Sequence, residues 1–583
     1  MAKRKGRIPA PRPETRPKKA PWKELGYLSL LTLALLVPFV GKPLHVDDPM
    51  YVWTAKHIVE HPVDFYGLNV NWIGITQSMA VANMNPPGVS YWLALVGALL
   101  GWSEPALHAG MLVPAVLAVV GVFLLARSLG APPILASLGL VAMPGFLVSS
   151  TTLMADVLAA ALWTWAVLAW VVGLQERRSG WLAAGALLAG LCILTKYVGL
   201  ALIPLLLAYT LAKCRRLEVQ SLLLLIPVAI ALAYRARMIS RYGVDPLAGV
   251  SSFSLQARQS LTPNTNEAPW IGLSFLGGTC LPALLFTPWT FGRRGCALTV
   301  VLILLVVVAL LGMKTLGHTP LRTSEGPRWG LLLQFALFTL SGALIFALVL
   351  RHVVRSRGAE AILLALWLCG IFVFGSLANW STNVRAFLPG APAVAILLAF
   401  EAKRVGRDRP FRIPPGLLAT LGICALAGLV VAQGDQAFAR SARDAARELV
   451  RERGRAGQPL WYQGSWGFQY YMDLEGAKRI DWKDIEVIPG DEMVESYSNS
   501  GVSLLPPTVL HPVRKYRFAV PALASTMSGE VGAGFYSDRF GPLPYVFGFP
   551  PDQVYSVLLV QARFFIGDDG WVRLNRPSPE APP

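Results

Sequence analysis

Thirteen apolar segments, separated by short polar stretches, dominate this chain and leave it few ways to fold. They fall at about 25–42, 105–127, 133–150, 156–173, 181–196, 198–212, 218–235, 270–291, 296–313, 329–350, 359–378, 386–401 and 414–432. A helix needs roughly 20 residues to cross a hydrocarbon core about 30 Å thick, and most of these segments are near that length. Backbone polar groups in lipid must be paired within the segment, so the segments read as transmembrane helices. Composition agrees: 54% of residues are hydrophobic and 15% charged, where a soluble protein carries roughly 25%. The expected fold is an all-α polytopic membrane bundle. Its 583 residues are better used in one bundle than in several separate domains.

The net charge of +18 is distributed as a membrane protein distributes it, which argues against a nucleic-acid partner. Residues 1–24, with Lys3, Arg4, Lys5, Arg7, Lys18, Lys19 and several prolines, read as a basic, disordered cytoplasmic tail. No small-residue cleavage site follows the first apolar run, which is expected to stay as an anchor. A shorter apolar run at 89–100 follows Pro86-Pro87 and is too short to span comfortably, so an interfacial or re-entrant helix is expected there. With that helix excluded, the loops on the tail's side all carry Arg or Lys, as at Arg127, Arg177-Arg178, Arg293-Arg294 and 403–412. This sets the N-terminus in the cytoplasm of a bacterial inner membrane and puts three large pieces outside. These are the loop 43–104, a loop at about 236–269, and residues 433–583 beyond a transmembrane domain of 25–432. The last piece reads as a small α/β extracytoplasmic domain, with strands at 459–463 and 486–488 and a helix starting at 466–472. The six cysteines show no metal-ligand spacing, and no repeat of fixed period is seen.

A few polar residues stand out against this background. Asp47 and Asp48 lie together just beyond the first span, where adjacent carboxylates either share a cation or proton or form an ordinary Asp-Asp-Pro turn. The functional reading makes the pair a general base, with a divalent metal as a possible helper. Asp156 opens a span on the same face, where it could equally cap its helix. Lys196 and Arg385 are basic residues on the side the charge bias avoids, which makes them candidates for an anion such as phosphate. Snorkelling would also account for either one alone. Arg235, Arg237 and Arg241 add to the same positive face. In the C-terminal region, the aromatics of 461–471 and 534–538 suit sugar stacking or, equally, an ordinary core or a membrane-surface belt.

Taken in order, these pieces resemble the GT-C membrane glycosyltransferases, in particular the protein O-mannosyltransferases and the lipid A aminoarabinose transferases. The landmarks are Asp47-Asp48 with Tyr51, Asn85-Pro86-Pro87 before the interfacial helix, Ser103-Glu104-Pro105, Asp156, Thr195-Lys196-Tyr197, and Arg385-Ala386-Phe387-Leu388-Pro389. The resemblance covers roughly residues 25–400. It implies transfer of a sugar, with inversion, from a polyprenyl-phosphate donor to a glycan, lipid or protein acceptor. Asp47 would be the base, supported by Asp48 and Asp156. Lys196, Arg385, Arg235 and Arg237 would meet the donor phosphate, and Tyr51, Asn85, His108 and Tyr197 the substrates. The sequence departs from the family at Asn85, where relatives often carry Lys or His, at Gly88, where Leu is usual, and at His108, where relatives often carry Arg.

Two other readings compete. A transporter or flippase of a lipid-linked or anionic solute would place ionisable residues near mid-span, whereas here they cluster at span ends. A non-catalytic scaffold would leave Asp47, Asp156 and Arg385 scattered.

Overall fold

The computed structural model describes residues 21–574 apart from 84, 262–265, 406–411, 455–457, 498 and 567–571. Most of the basic tail therefore lies outside the described residues. Among the described residues, ten helices are long and apolar enough to cross a membrane, beginning with Trp22–Phe39 and ending with Pro415–Arg453. Outward-facing side chains on Gly292–Leu311, such as Leu298, Leu304 and Val308, are exposed, an arrangement suited to lipid rather than water.

The other three apolar segments show why counting by length differs from counting by pattern. Ser179–Ile193 is a shorter apolar helix that stops just before Lys196. The segment at 133–150 breaks into Pro133–Val141 and Pro144–Ser149, and that at 270–291 into Ala268–Thr279, Pro282–Leu285 and Thr287–Thr290. Pro144, Pro282 and Pro288 sit in the first turns of the pieces, where a missing N–H ends the preceding ladder and suits a new helix start. Helices pack closely where small residues allow it. A Cβ at Gly277 would come 1.9 Å from the Phe338 carbonyl oxygen, and one at Gly342 2.2 Å from that of Leu273, so helices 268–279 and 329–356 touch backbone to backbone.

Helix Pro415–Arg453 has 39 residues, about 58 Å of length, nearly twice a hydrocarbon core. The change of composition at 433 falls inside it, so the helix runs on as one rod into the C-terminal domain. That domain holds a five-stranded mixed sheet in the order Leu510–Phe518, Gln553–Val560, Glu492–Ser496, Trp461–Tyr462, Lys478–Arg479. Helix Trp466–Leu474 links Trp461–Tyr462 to its parallel neighbour Lys478–Arg479. The helix and the first strand lie where the sequence places them. Residues 486–488 form no strand, because Asp491 folds back to accept from Ile488 N and Trp461 Nε1; the strand comes just after, at Glu492–Ser496. The architecture is thus a helical membrane bundle carrying a strand-containing C-terminal domain.

Candidate active site

The site begins in the loop between helices Trp22–Phe39 and Asp48–Glu60. Val46 sits there at φ +46°, a left-handed conformation that a β-branched residue adopts only under constraint. The constraints are visible. Leu44 N donates to Tyr471 Oη (2.8 Å), and His45 N to Asp48 Oδ2 (2.9 Å). The approach of the C-terminal helix is so close that a Cβ at Gly467 would lie 2.0 Å from the Leu44 carbonyl oxygen. Asp47 then occupies the cap position of its helix without capping it, and its side chain is free to turn elsewhere.

It turns to Arg385. Arg385 Nη1 donates to Asp47 Oδ2 and its Nε to Asp156 Oδ2, each at 2.7 Å. Lys196 Nζ donates to Asp156 Oδ1 at 2.5 Å and to the Arg385 carbonyl at 3.4 Å. Two carboxylates and two cations from four separate segments thus form one neutral cluster. Asp156 is 1% exposed, Arg385 12%, Lys196 15% and Asp47 33%, so the cluster opens to solvent at Asp47. Each group is delivered by a local break in helix. Lys196 stands in extended backbone (φ −157°) between Ser179–Ile193 and the turn at Tyr197–Ala201. Arg385 lies in the short helix Val384–Phe387, capped by Asn383 Oδ1 accepting from Ala386 N. Asp156 opens its helix, yet both its oxygens go to the cations and none to a cap. Tyr51 follows Asp47 by four residues on the same helical face; it is buried, with its hydroxyl beside the Arg385 guanidinium.

The other candidates divide. Asp48 faces away from the cluster, accepting from His45 N on Oδ2 and from Leu153 N (2.8 Å) on Oδ1. Burial pushes its carboxyl up to about 7, opposed by Lys42 and these two N–H donors. Asp48 therefore ties the loop to the Asp156 segment instead of offering a second base. The two aspartates do not fit a shared metal: one faces a guanidinium, the other two backbone amides. Among the described residues no other group of His, Cys, Asp or Glu would complete such a site. Arg235 is engaged by Asp245 (2.5 Å), Arg241 by Asp64 (3.0 Å), and Arg237 donates to the Val63 carbonyl (3.0 Å). The expected phosphate cations at 235 and 237 are thus already partnered locally. Tyr197 packs on Tyr234, and the Asn85 carbonyl accepts from Tyr66 Oη. His108 is buried beside Lys42, away from solvent. Most aromatics of 461–471 and 534–538 are buried, so the core reading holds for them, with Tyr470 the half-buried exception.

A second charged cluster escaped the sequence reading. Lys42 donates to Asp435 Oδ2 (2.5 Å) and to Thr151 Oγ1 (3.3 Å), and both members of the ion pair are 0% exposed. Asp435 also accepts from Thr526 (2.6 Å) and Tyr536 (2.8 Å), while His45 Nε2 lies 3.4 Å away. Burial holds His45 below its ordinary value, and its ring is boxed edge-on by Phe438 and Tyr536. Tyr471 completes the clamp by donating to Glu104, which also takes Arg443. One signal was available: Lys42, like Lys196 and Arg385, is a cation on the face where cations are scarce.

The bridge through Arg385 also bears on how the chain threads. Asp47 precedes helix Gly88–Leu100 and Asp156 follows it, yet both bind one guanidinium. The helix between them has 13 residues, short of the roughly 20 needed to span.

Residues 84–239 match the family model described as dolichyl-phosphate-mannose-protein mannosyltransferase. Among solved structures, the chain is similar to ArnT from Cupriavidus metallidurans bound to undecaprenyl phosphate, at 16% identity over 82% of this chain and 94% of that one (TM-score 0.40). It is also similar to the arabinofuranosyltransferase AftD from Mycobacteria, at 12% identity over 94% of this chain and 40% of that one (TM-score 0.39). A third likeness is to the arabinosyltransferase EmbB from Mycobacterium smegmatis, at 16% identity over 86% and 47% (TM-score 0.35). No curated protein matches the chain. The matched segment holds the landmarks from Asn85 to Tyr197 and agrees there with the resemblance to protein O-mannosyltransferases; Asp47 and Arg385 lie outside it.

Proposed function

We propose that this multi-pass membrane protein, GT-C-like in its family segment, transfers a sugar from a polyprenyl-phosphate donor to a glycan, lipid or protein acceptor at the outer membrane face. The observation that carries this reading is the meeting of Asp47, Asp156, Lys196 and Arg385, drawn from four segments of the chain into one cluster. A scaffold has no use for that convergence, and a transporter needs its charges deeper in the membrane.

In this reading Asp47, the exposed member, takes the proton of an acceptor hydroxyl as its oxygen attacks the anomeric carbon. The bond from that carbon to the phosphate oxygen breaks, and its electron pair leaves with the polyprenyl phosphate. Arg385 and Lys196 stand where that growing negative charge can be met by fixed cations, which lowers the barrier without reorganising solvent. Asp156 touches both cations and holds them in place. Asp48 and the Lys42–Asp435 pair hold the loop that presents Asp47.

The test is to incubate purified protein with labelled polyprenyl-phosphate sugars from the source membranes and with membrane acceptors. Label should pass to the acceptor fraction and free polyprenyl phosphate should accumulate. Movement of intact labelled lipid across reconstituted vesicles, with no bond cleavage, would favour the transporter instead.

A further inference from the structure

A second cleft, of about 560 Å³, opens where helix Asp48–Glu60 meets the C-terminal domain. One wall is the helix face carrying Trp53, Lys56, His57 and Glu60. The hairpin Asn69–Asn71 with Thr76–Ser78 forms a second wall, and Gln469, Asp473 and Arg479 of the C-terminal domain a third. Its floor is built rigidly. The Asn71 carbonyl accepts from Gln469 Nε2 (2.6 Å) and Arg479 Nη1 (3.0 Å), Ser465 Oγ donates to the Trp72 carbonyl (2.7 Å), and Thr76 N donates to Asp481 (3.0 Å). The mouth keeps exposed polar groups at Glu60, Asn69, Thr76 and Asp473. Trp53 is half-buried, propped edge-on by Trp72 at 6.2 Å and flanked by Tyr470 at 6.2 Å.

We infer that this cleft binds the carbohydrate portion of the acceptor, an inference that rests on the transferase reading above. The lining selects the ligand class. A lipid chain needs unbroken apolar walls, whereas ten of the thirteen residues lining this cleft are polar or charged. A phosphate needs net positive charge, yet Glu60, Asp473 and Asp481 outnumber Lys56 and Arg479. A neutral polyol suits both features: its C–H face packs on an indole, and its hydroxyls meet carboxylates, amides and a guanidinium at the edges. The volume is that of an ordinary small-ligand cleft. Position points to the acceptor. Helix Asp48–Glu60 carries Asp47 at one end and this cleft along its length, with Trp53 about 8 Å and Glu60 about 18 Å along the axis from Asp48. Internal sugars held there would present the end of the glycan toward Asp47.

The experiment uses full-length protein in detergent, with labelled polyprenyl-phosphate sugar as donor. As acceptor it takes the glycolipid and glycan extract of membranes lacking the protein, at varied concentration. Trp53→Ala should raise KM for the extract about tenfold, with kcat and the slow hydrolysis of donor by water unchanged. Glu60→Ala and Asn69→Ala, both at exposed positions, should shift KM the same way by less. Periodate oxidation of the extract should bring wild type to the KM of Trp53→Ala. Equal KM for wild type and all three variants would overturn the inference, as would label entering protease-sensitive, glycan-free material. Absence of both transfer and donor hydrolysis in wild type would instead strike the parent reading, and this inference with it.

Discussion

Two charged clusters grip the same short loop and are built to opposite ends. At Asp47 the carboxylate is a third exposed, has one cation and faces outward. Five residues earlier, Lys42 meets Asp435 with no exposure at all, and Asp435 is held by a lysine, a threonine and a tyrosine together. An open pair can exchange its partner for a substrate at little cost. A sealed, fully hydrogen-bonded pair cannot, and losing one member strands a charge away from water. On the proposed reading, the contrast separates a group placed to react from groups placed to hold it still.

That separation can be broken experimentally. Asp47→Asn should reduce sugar transfer by about 10²- to 10⁴-fold, the usual worth of a positioned base, while leaving thermal unfolding in detergent nearly unchanged. Full retained activity would remove Asp47 from the base role. Asp435→Asn should do the reverse, costing about 3–5 kcal/mol of stability through a stranded Lys42. The double change Lys42→Met with Asp435→Leu should be less damaging than either partner removed alone, a sign that thermal melts can read directly.

Arg385→Lys sharpens the comparison inside the open cluster. An ammonium keeps the charge but not the fork that reaches Asp47 and Asp156 at once, so transfer should fall by about 10²-fold with folding intact. Asp48 gives a pH test. Its carboxyl is held up at about 7, so the folded state binds a proton the unfolded state has already lost. The stability this contributes is present below the unfolded value near 4 and is lost as pH rises to about 7, a swing of a few kcal/mol at most. Melts of wild type against Asp48→Asn between pH 5 and 8 should diverge in that sense. The smallest effect belongs to Arg235→Ala: its guanidinium is exposed and paired with Asp245, and donor KM should not move measurably.

Much of the bundle was readable because each span must be apolar along its whole length, a demand that leaves a long signal. Pro144 and Pro282 mark where two apolar runs break, though an apolar run by itself does not say that it is one helix. Lys196 and Arg385 drew notice as cations on the face where the expected threading has few. The same rule singled out Arg235 and Arg237, and it cannot see a partner such as Asp245 brought back by a turn. It was not pressed at Lys42, which read as a loop boundary. Asp435 sits where composition turns polar, and nothing local distinguishes it from an ordinary solvated carboxylate. Its role depends on a contact 393 residues away in the chain. The Trp53 cleft is hidden for the same reason, being made by two regions that are distant in sequence.

The clamp on the loop has a consequence for how the protein is made. Asp47 emerges among the first fifty residues, but Lys42, Leu44 and His45 are held by Asp435, Tyr471 and Tyr536. The strained turn at Val46 has those supports only after nearly the whole chain has been synthesised and its last domain has folded against the bundle. Asp47 is therefore the first part of the cluster to be translated and among the last to be set; in the proposed reaction this keeps a half-made chain from acting on the lipids around it.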